Sequence, residues 1–131
     1  EDRGLVPELT VEENMVLPLW VSPTLDLSER LNWVYEVLPE LKAMSDRRAL
    51  LLSGGQQKMV ALARALAVGT RLLLLDEPFE GVAPALSMRL SEVIGKLKST
   101  DLSVLIAQSD VNHANDLLDA QVVIERGALA A

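Results

Sequence analysis

The sequence contains no cysteine. That excludes both a disulfide framework and a thiolate metal site, and it makes a reducing compartment, the cytoplasm, the default expectation. Positive charge is scarce: 12 Lys and Arg stand against 19 Asp and Glu, for a formal net charge of -7. A nucleic-acid backbone needs clustered cations, so nucleic acid is excluded as a partner class while protein partners stay open. Long apolar runs are missing too. Met59–Val68 and Leu72–Leu75 are broken by Arg64, Gly69 and Arg71, and neither reaches the roughly 20 apolar residues of a membrane span, so no direct membrane insertion is expected. No basic-then-apolar leader opens the chain and its first methionine is Met15. Residue 1 is therefore not expected to be a translation start, and the chain reads as a fragment. Internal repeats and low-complexity tracts are absent.

What is present is a chain of 131 residues, half of them hydrophobic, enough for one core and one domain or a piece of one. Up to Leu52 the pattern is helical and punctuated by Pro7, Pro18, Pro23 and Pro39. From there on, apolar strand-like runs alternate with amphipathic helices. The expected division is a helical lobe over 1–52 and an α/β half over 53–131. Thr10-Val11-Glu12-Glu13 is a capping box that starts a helix. Ser28 is expected to cap a second helix carrying Leu31, Val34, Tyr35, Leu38 and Leu41, with Pro39 against a clean continuation. Trp20 and Trp33, spaced among leucines, read as core residues. In the second half, Leu72–Leu75 reads as a fully buried strand. Pro84 opens a helix with the stripe Leu86, Leu90, Val93, Ile94 and Leu97, and Val104–Ala107 is the next strand. Asp110 is expected to cap a helix carrying Val111, Ala114, Leu117 and Leu118, and Gln121–Glu125 is a last strand. Strands alternating with helices imply a parallel sheet with right-handed crossovers.

The chemistry is expected where these elements meet. Ser53-Gly54-Gly55-Gln56 is a second capping box, opening a helix that runs to about Val68 with Gly69 as its stop. The free N–H groups and positive dipole end of that helix attract an anion, the glycines admit a phosphate close to the backbone, and Ser53 adds a hydroxyl donor. Downstream, Leu72–Leu75 ends in Asp76-Glu77-Pro78. Asp76 can hold Mg²⁺ and Glu77 can orient and deprotonate an attacking water. Each motif has a plain reading, an ordinary cap or an acidic turn, but the two in this order and joined by one helix favour nucleotide chemistry.

At these residues the chain resembles the ATP-binding cassette (ABC) ATPases. Leu52–Met59 is similar to their signature motif and Leu72–Pro78 to their Walker B strand with its catalytic glutamate. The resemblance spans nearly the whole chain and implies a partial P-loop NTPase fold, α/β, with a helical subdomain followed by the C-terminal half of the parallel-sheet core. Glu1–Asn14 and Glu80–Pro84 are similar to the ATP-binding subunits of bacterial branched-chain amino acid importers, and Ile124–Gly127 is similar to the strand and turn after their switch segment. The resemblance implies ATP and Mg²⁺ as ligands, Glu77 as catalytic base, Asp76 for Mg²⁺, and Ser53, Gly54, Gly55 and Gln56 as phosphate donors in trans. It places Glu1 at the Q-loop position, Glu80, Gly81, Val82 and Ala83 in the D-loop, and Ser109 at the switch position where a histidine is common. The only histidine, His113, is not assigned to catalysis.

Partners implied in the same way are a second ABC ATPase subunit and membrane-spanning permease subunits, with the protein peripheral on the inner face of the plasma membrane. One family element is missing: no Gly-x-x-x-x-Gly-Lys-Ser/Thr occurs, Gly95-Lys96 being followed by Leu97. The chain alone is therefore expected to bind ATP poorly and to hydrolyse it negligibly. Its open sheet edges are expected either to form a homodimer or to make the last strand repack. Alternatives to the import ATPase are a truncated non-catalytic module that docks on an ABC partner, and an ATPase of a lipid or polysaccharide exporter.

Overall fold

The computed structural model of the chain describes residues 4–109 and 115–130. Its elements are helices α1 (Val11–Val16), α2 (Leu27–Val37), α3 (Gly54–Val68) and α4 (Pro84–Leu97), with strands β1 (Leu72–Asp76), β2 (Ser103–Ala107), β3 (Ile124–Glu125) and β4 (Ala128–Leu129). Short 3₁₀ turns fill Leu17–Val21, Pro39–Met44, Ala49–Leu51 and Asn115–Leu117.

Local chemistry sets the helix starts. At α1 the Thr10 hydroxyl accepts from the Glu13 N–H at 3.1 Å while the Glu13 carboxylate accepts from the Thr10 N–H at 2.8 Å. Buried Asn14 then secures the approach to α1. Its Oδ1 accepts from the Val6 N–H at 2.8 Å, and its Nδ2 donates to the carbonyls of Val6, Leu9 and Thr10 at 2.9 to 3.3 Å, so a fully buried carboxamide leaves no polar atom unmet. Asp26, not Ser28, caps α2. Its carboxylate accepts from the Glu29 N–H at 2.8 Å and from the Ser28 hydroxyl at 2.9 Å, and the extended backbone of Asp26 starts the helix earlier than a Ser28 cap would. Pro39 ends α2 at Val37, so Leu41 reaches the core from a 3₁₀ turn.

Around α3, side chains from α1, α2 and the first two 3₁₀ turns build the core: Val11, Met15, Leu19, Val34, Leu38, Leu41, Val60, Ala63 and Leu66 are almost completely buried. Backbone bonds from Ala49 and Leu50 to the carbonyls of Leu9 and Pro7 close the helical lobe on itself. Trp20 departs from the expected core placement and is 60% exposed. Neighbours in a 3₁₀ turn are about 120° apart; Leu19 takes the inward direction and Trp20 points out. Trp33 is half-buried, with the Arg30 guanidinium 4.5 Å above its ring.

The strands β1 and β2 pair in parallel, Leu72 with Ser103 through Asp76 with Ala107. One face of the pair, with Leu73, Leu75, Val104 and Ile106, packs on the core, where α4 contributes Leu90, Val93, Ile94 and Leu97. The other face is open, with Leu72 55%, Leu74 64% and Leu105 63% exposed. This corrects the expectation of a fully buried β1, because burial of a parallel strand requires cover on both faces. The last strand also departs from expectation. Ile124–Glu125 pairs antiparallel with Ala128–Leu129 through Arg126 and Gly127, both at positive φ, and so repacks as a two-residue hairpin. Glu1, Asp110, Val111, His113 and Ala114 lie outside the described residues. Of the helix expected there, the 3₁₀ turn Asn115–Leu117 is described.

Candidate active site

The two parallel strands end side by side, and the register that sets Asp76 opposite Ala107 carries Glu77 next to Gln108. Asp76 is exposed on the open face and Glu77 half-buried. The Glu77 N–H donates to the Ala107 carbonyl at 2.9 Å. Its carboxylate accepts from Gln108 Nε2 at 2.5 Å and from the Ser109 N–H at 3.0 Å. Both oxygens are thus held by neutral donors from β2's end. Glu77 adopts φ 45°, left-handed backbone that costs a residue with a Cβ about 1 to 2 kcal/mol and persists where the surroundings fix it. The loop continues with the Glu80 N–H on the Glu77 carbonyl at 3.1 Å, then Gly81 at positive φ, half-buried Val82, and Ala83 as the N-cap residue of α4. Ala83 has cap-like backbone but no side chain able to cap.

At the start of α3, Gln56 N–H donates to the Ser53 hydroxyl at 3.3 Å and Ser53 N–H donates to Gln56 Oε1 at 3.0 Å. Gln57 N–H takes the Ser53 carbonyl at 2.9 Å. Of the amides that a helix start leaves without intrahelical partners, those of Gly54 and Gly55 are the ones this box does not use. The Ser53 oxygen accepts and so keeps its proton to donate. A Cβ on Gly55 would stand 3.1 Å from Leu86 Cδ2 of α4, which places the two helices in close approach there.

The structure brings Asp76, Glu77, Gln108 and Ser109 together, while Ser53–Gln56 stands at a separate helix end. The link between them is Lys58, one turn into α3, whose Nζ donates to the carbonyls of Glu77 at 3.3 Å and Glu80 at 3.0 Å. Ser109 reaches Glu77 through its backbone and Gln108 through its side chain, so Gln108 is a site residue that no sequence motif marks. The strand register is the signal that could find it. Lys58 has no signal of that kind, since its partners lie 19 and 22 residues away. Among the described residues no group of three or more His, Cys, Asp or Glu side chains is arranged to hold a metal. Asp76 alone still suits Mg²⁺, which uses one or two carboxylates together with waters and substrate phosphates.

Solved structures match this fold, and curated relatives match the sequence. The ADP conformation of MJ1267, an ATP-binding cassette of an ABC transporter, superposes with a TM-score of 0.83 and 28% identity over 95% of this chain and 55% of that one. The cassette fold expected from the sequence is therefore present in part, as a helical subdomain and a piece of its parallel sheet. The high-affinity branched-chain amino acid transport ATP-binding protein BraG of Pseudomonas aeruginosa is 36% identical over 98% of this chain and 55% of its own length. The lipopolysaccharide export system ATP-binding protein LptB of Haemophilus influenzae is 30% identical over 100% of this chain and 55% of its own. The chain thus spans about half the length of the relatives it matches. The ABC transporter family itself matches over residues 1–80, more than half of the sequence, and the chain belongs to that family.

Proposed function

We propose that this chain is part of an ATP-binding subunit that powers branched-chain amino acid import, working with a second ATPase subunit and membrane-spanning permease subunits on the inner face of the plasma membrane. The observation that carries the reading is Glu77, held in strained backbone with both carboxylate oxygens fixed by Gln108 and Ser109 beside Asp76. In this role Glu77 accepts the proton of the attacking water, and its two donors hold it in the orientation that transfer needs. The amides of Gly54 and Gly55 and the Ser53 hydroxyl receive phosphate oxygens of ATP bound chiefly by the opposite subunit. Glu80–Ala83 forms the loop between acid and α4, and Glu1 serves the Q-loop position. Asp76 would hold Mg²⁺, which would supply charge neutralisation at the phosphates.

The test joins this chain to the part of BraG that it does not match, in the order found in that relative, and measures ATP hydrolysis. Glu77→Gln is expected to lower turnover by roughly 10²- to 10⁴-fold, the contribution of a positioned general base; turnover unchanged by Glu77→Gln refutes the assignment. The similarity to LptB over the entire chain supports a second reading, export of lipid or polysaccharide. Restoring leucine uptake to cells lacking BraG, without restoring lipopolysaccharide export to cells lacking LptB, favours import; the reverse favours export. If the joined protein binds its permease partners but neither turns over ATP nor responds to Glu77→Gln, the chain is a non-catalytic docking module.

A further inference from the structure

Helix α4 leaves the acid loop at Ala83 and presents one face to the helical lobe. Leu86, in its first turn, is the side chain whose Cδ2 a Cβ on Gly55 would meet at 3.1 Å. Arg89 follows three positions later, on the same side of the helix. Every nitrogen of its guanidinium is committed. Nε and Nη2 donate to the two carboxylate oxygens of Glu40 at 2.7 and 2.9 Å, Nη2 also donates to the Val37 carbonyl at 3.3 Å, and Nη1 donates to Glu92 at 3.1 Å. Glu40 stands in the 3₁₀ turn Pro39–Met44 and Val37 is the last residue of α2, where a cation also meets the negative end of the helix dipole. One side chain of α4 thus grips the lobe across 49 and 52 positions of sequence.

We propose that Arg89 is a positioning residue: it latches the helical lobe to α4 and so fixes Ser53–Gln56 relative to the loop that bears Glu77. The lobe packs around α3 and Arg30 ties α2 to the end of α3, so lobe and α3 move as one unit. That unit meets α4 and its loop at three places. Leu86 against Gly55 is an apolar contact with no preferred direction, and it tolerates sliding. Lys58 reaches the carbonyls of Glu77 and Glu80 through an ammonium on a flexible stem, which sets a distance more than an angle. The Arg89 fork on Glu40 is planar and bidentate, and it alone of the three fixes orientation. Glu92 lies on α4 itself, so its bond to Arg89 stays within one helix and crosses to nothing. The catalytic meaning of the latch rests on the ATP-binding-subunit reading, whereas its mechanical role does not.

Because the chain has no cysteine, two introduced thiols carry spin labels without background. Val21→Cys in the lobe and Met88→Cys on α4, both at exposed positions, report lobe against α4 by pulsed electron paramagnetic resonance. In the full chain, Arg89→Met is expected to widen the distance distribution roughly twofold, Glu40→Gln and Arg89→Lys to widen it less, and Glu92→Gln to leave it as in wild type. An unchanged width in Arg89→Met and Glu40→Gln proteins that circular dichroism shows to be folded, or equal widening with Glu92→Gln, overturns the latch. In the chain joined to the unmatched part of BraG, Arg89→Met is expected to lower kcat for ATP hydrolysis roughly tenfold with KM held within about twofold, since a displaced phosphate loop costs alignment more than binding. Glu92→Gln is expected to keep both constants. A widened distribution with kcat intact, or an equal fall in kcat with Glu92→Gln, overturns the positioning role. A joined wild type that does not hydrolyse ATP removes the ATP-binding-subunit reading, and the distances alone then decide the latch.

Discussion

Replacing Arg30 by methionine removes a side chain that ties the end of α3 to α2. The Arg30 guanidinium donates through Nε to the Ala67 carbonyl at 2.8 Å, and through one Nη to the carbonyls of Leu66 and Gly69 at 2.6 and 2.7 Å. It also stacks 4.5 Å above Trp33. The last carbonyls of a helix have no intrahelical partners and carry the negative end of its dipole, so a cation there satisfies bonds and field together. A hydrogen bond involving a charged group is worth about 1.5 to 3 kcal/mol, yet three made by one group are not additive, and water can reach part of this site. The expected loss is about 3 kcal/mol, and at roughly 4 °C per kcal/mol for a domain of this size the melting temperature falls by about 12 °C. Scanning calorimetry on wild type, Arg30→Met and Arg30→Lys makes the comparison. An ammonium cannot fork across three carbonyls, so Arg30→Lys should recover about a third of the loss. A fall of less than about 3 °C for Arg30→Met, or full recovery with lysine, refutes the clamp.

Ala83→Asp should stabilise the protein by about 1 kcal/mol in chemical denaturation, since the N-cap backbone of α4 is already in place and lacks a side-chain acceptor; no gain means the loop rejects the side chain. Glu40 accepts two bonds from Arg89, at 2.7 and 2.9 Å, and that pairing holds its carboxyl below the usual glutamate range. The folded-state pKa is depressed, so the contribution is complete above the unfolded pKa and fades as pH falls through the folded one. The advantage of wild type over Glu40→Gln, about 1 kcal/mol for a partly exposed bidentate pair, should hold at neutral pH and fade as pH falls below the usual glutamate range; an advantage independent of pH counts against the pairing. Lys58→Met should speed amide exchange at residues 77–83 roughly tenfold while leaving the middle of α3 protected, and Lys58→Arg should keep most of the protection; an unchanged loop removes Lys58 as the link between α3 and Glu77.

Features set by residues close together along the chain are legible in the sequence itself. The two capping boxes close within four residues, and both form, at Thr10 and at Ser53. The limits of α3, the start of α4 at Pro84 and the strand ending at Asp76 depend on local propensity and pattern, and they too are readable. What escapes a sequence reading depends on residues far apart. Gln108 meets Glu77 across 31 positions and Arg30 meets Gly69 across 39; the first pairing follows only once the strand register is known, and the second leaves no local signal in the sequence. The spacing of Trp20 among leucines suggests the core, but a 3₁₀ turn changes which neighbour faces inward. The unbroken leucines of β1 have the pattern of a doubly covered strand; that pattern is real, yet among the described residues nothing covers the face of Leu72 and Leu74.

The contacts around α3 explain how a site with exposed chemistry can still be held rigidly. Ser53, Gly54, Asp76 and Ser109 are exposed, as their proposed contacts with a nucleotide and a second subunit require. Their positions are nevertheless set by buried or half-buried neighbours: Leu86 against Gly55 at the start of α3, Lys58 on the acid loop one turn later, and Arg30 at its far end. A shift of α3 therefore strains its start, the loop bearing Glu77 and its junction with α2 together. Gln108 extends the same linkage from Glu77 into β2, the strand whose outer face is open.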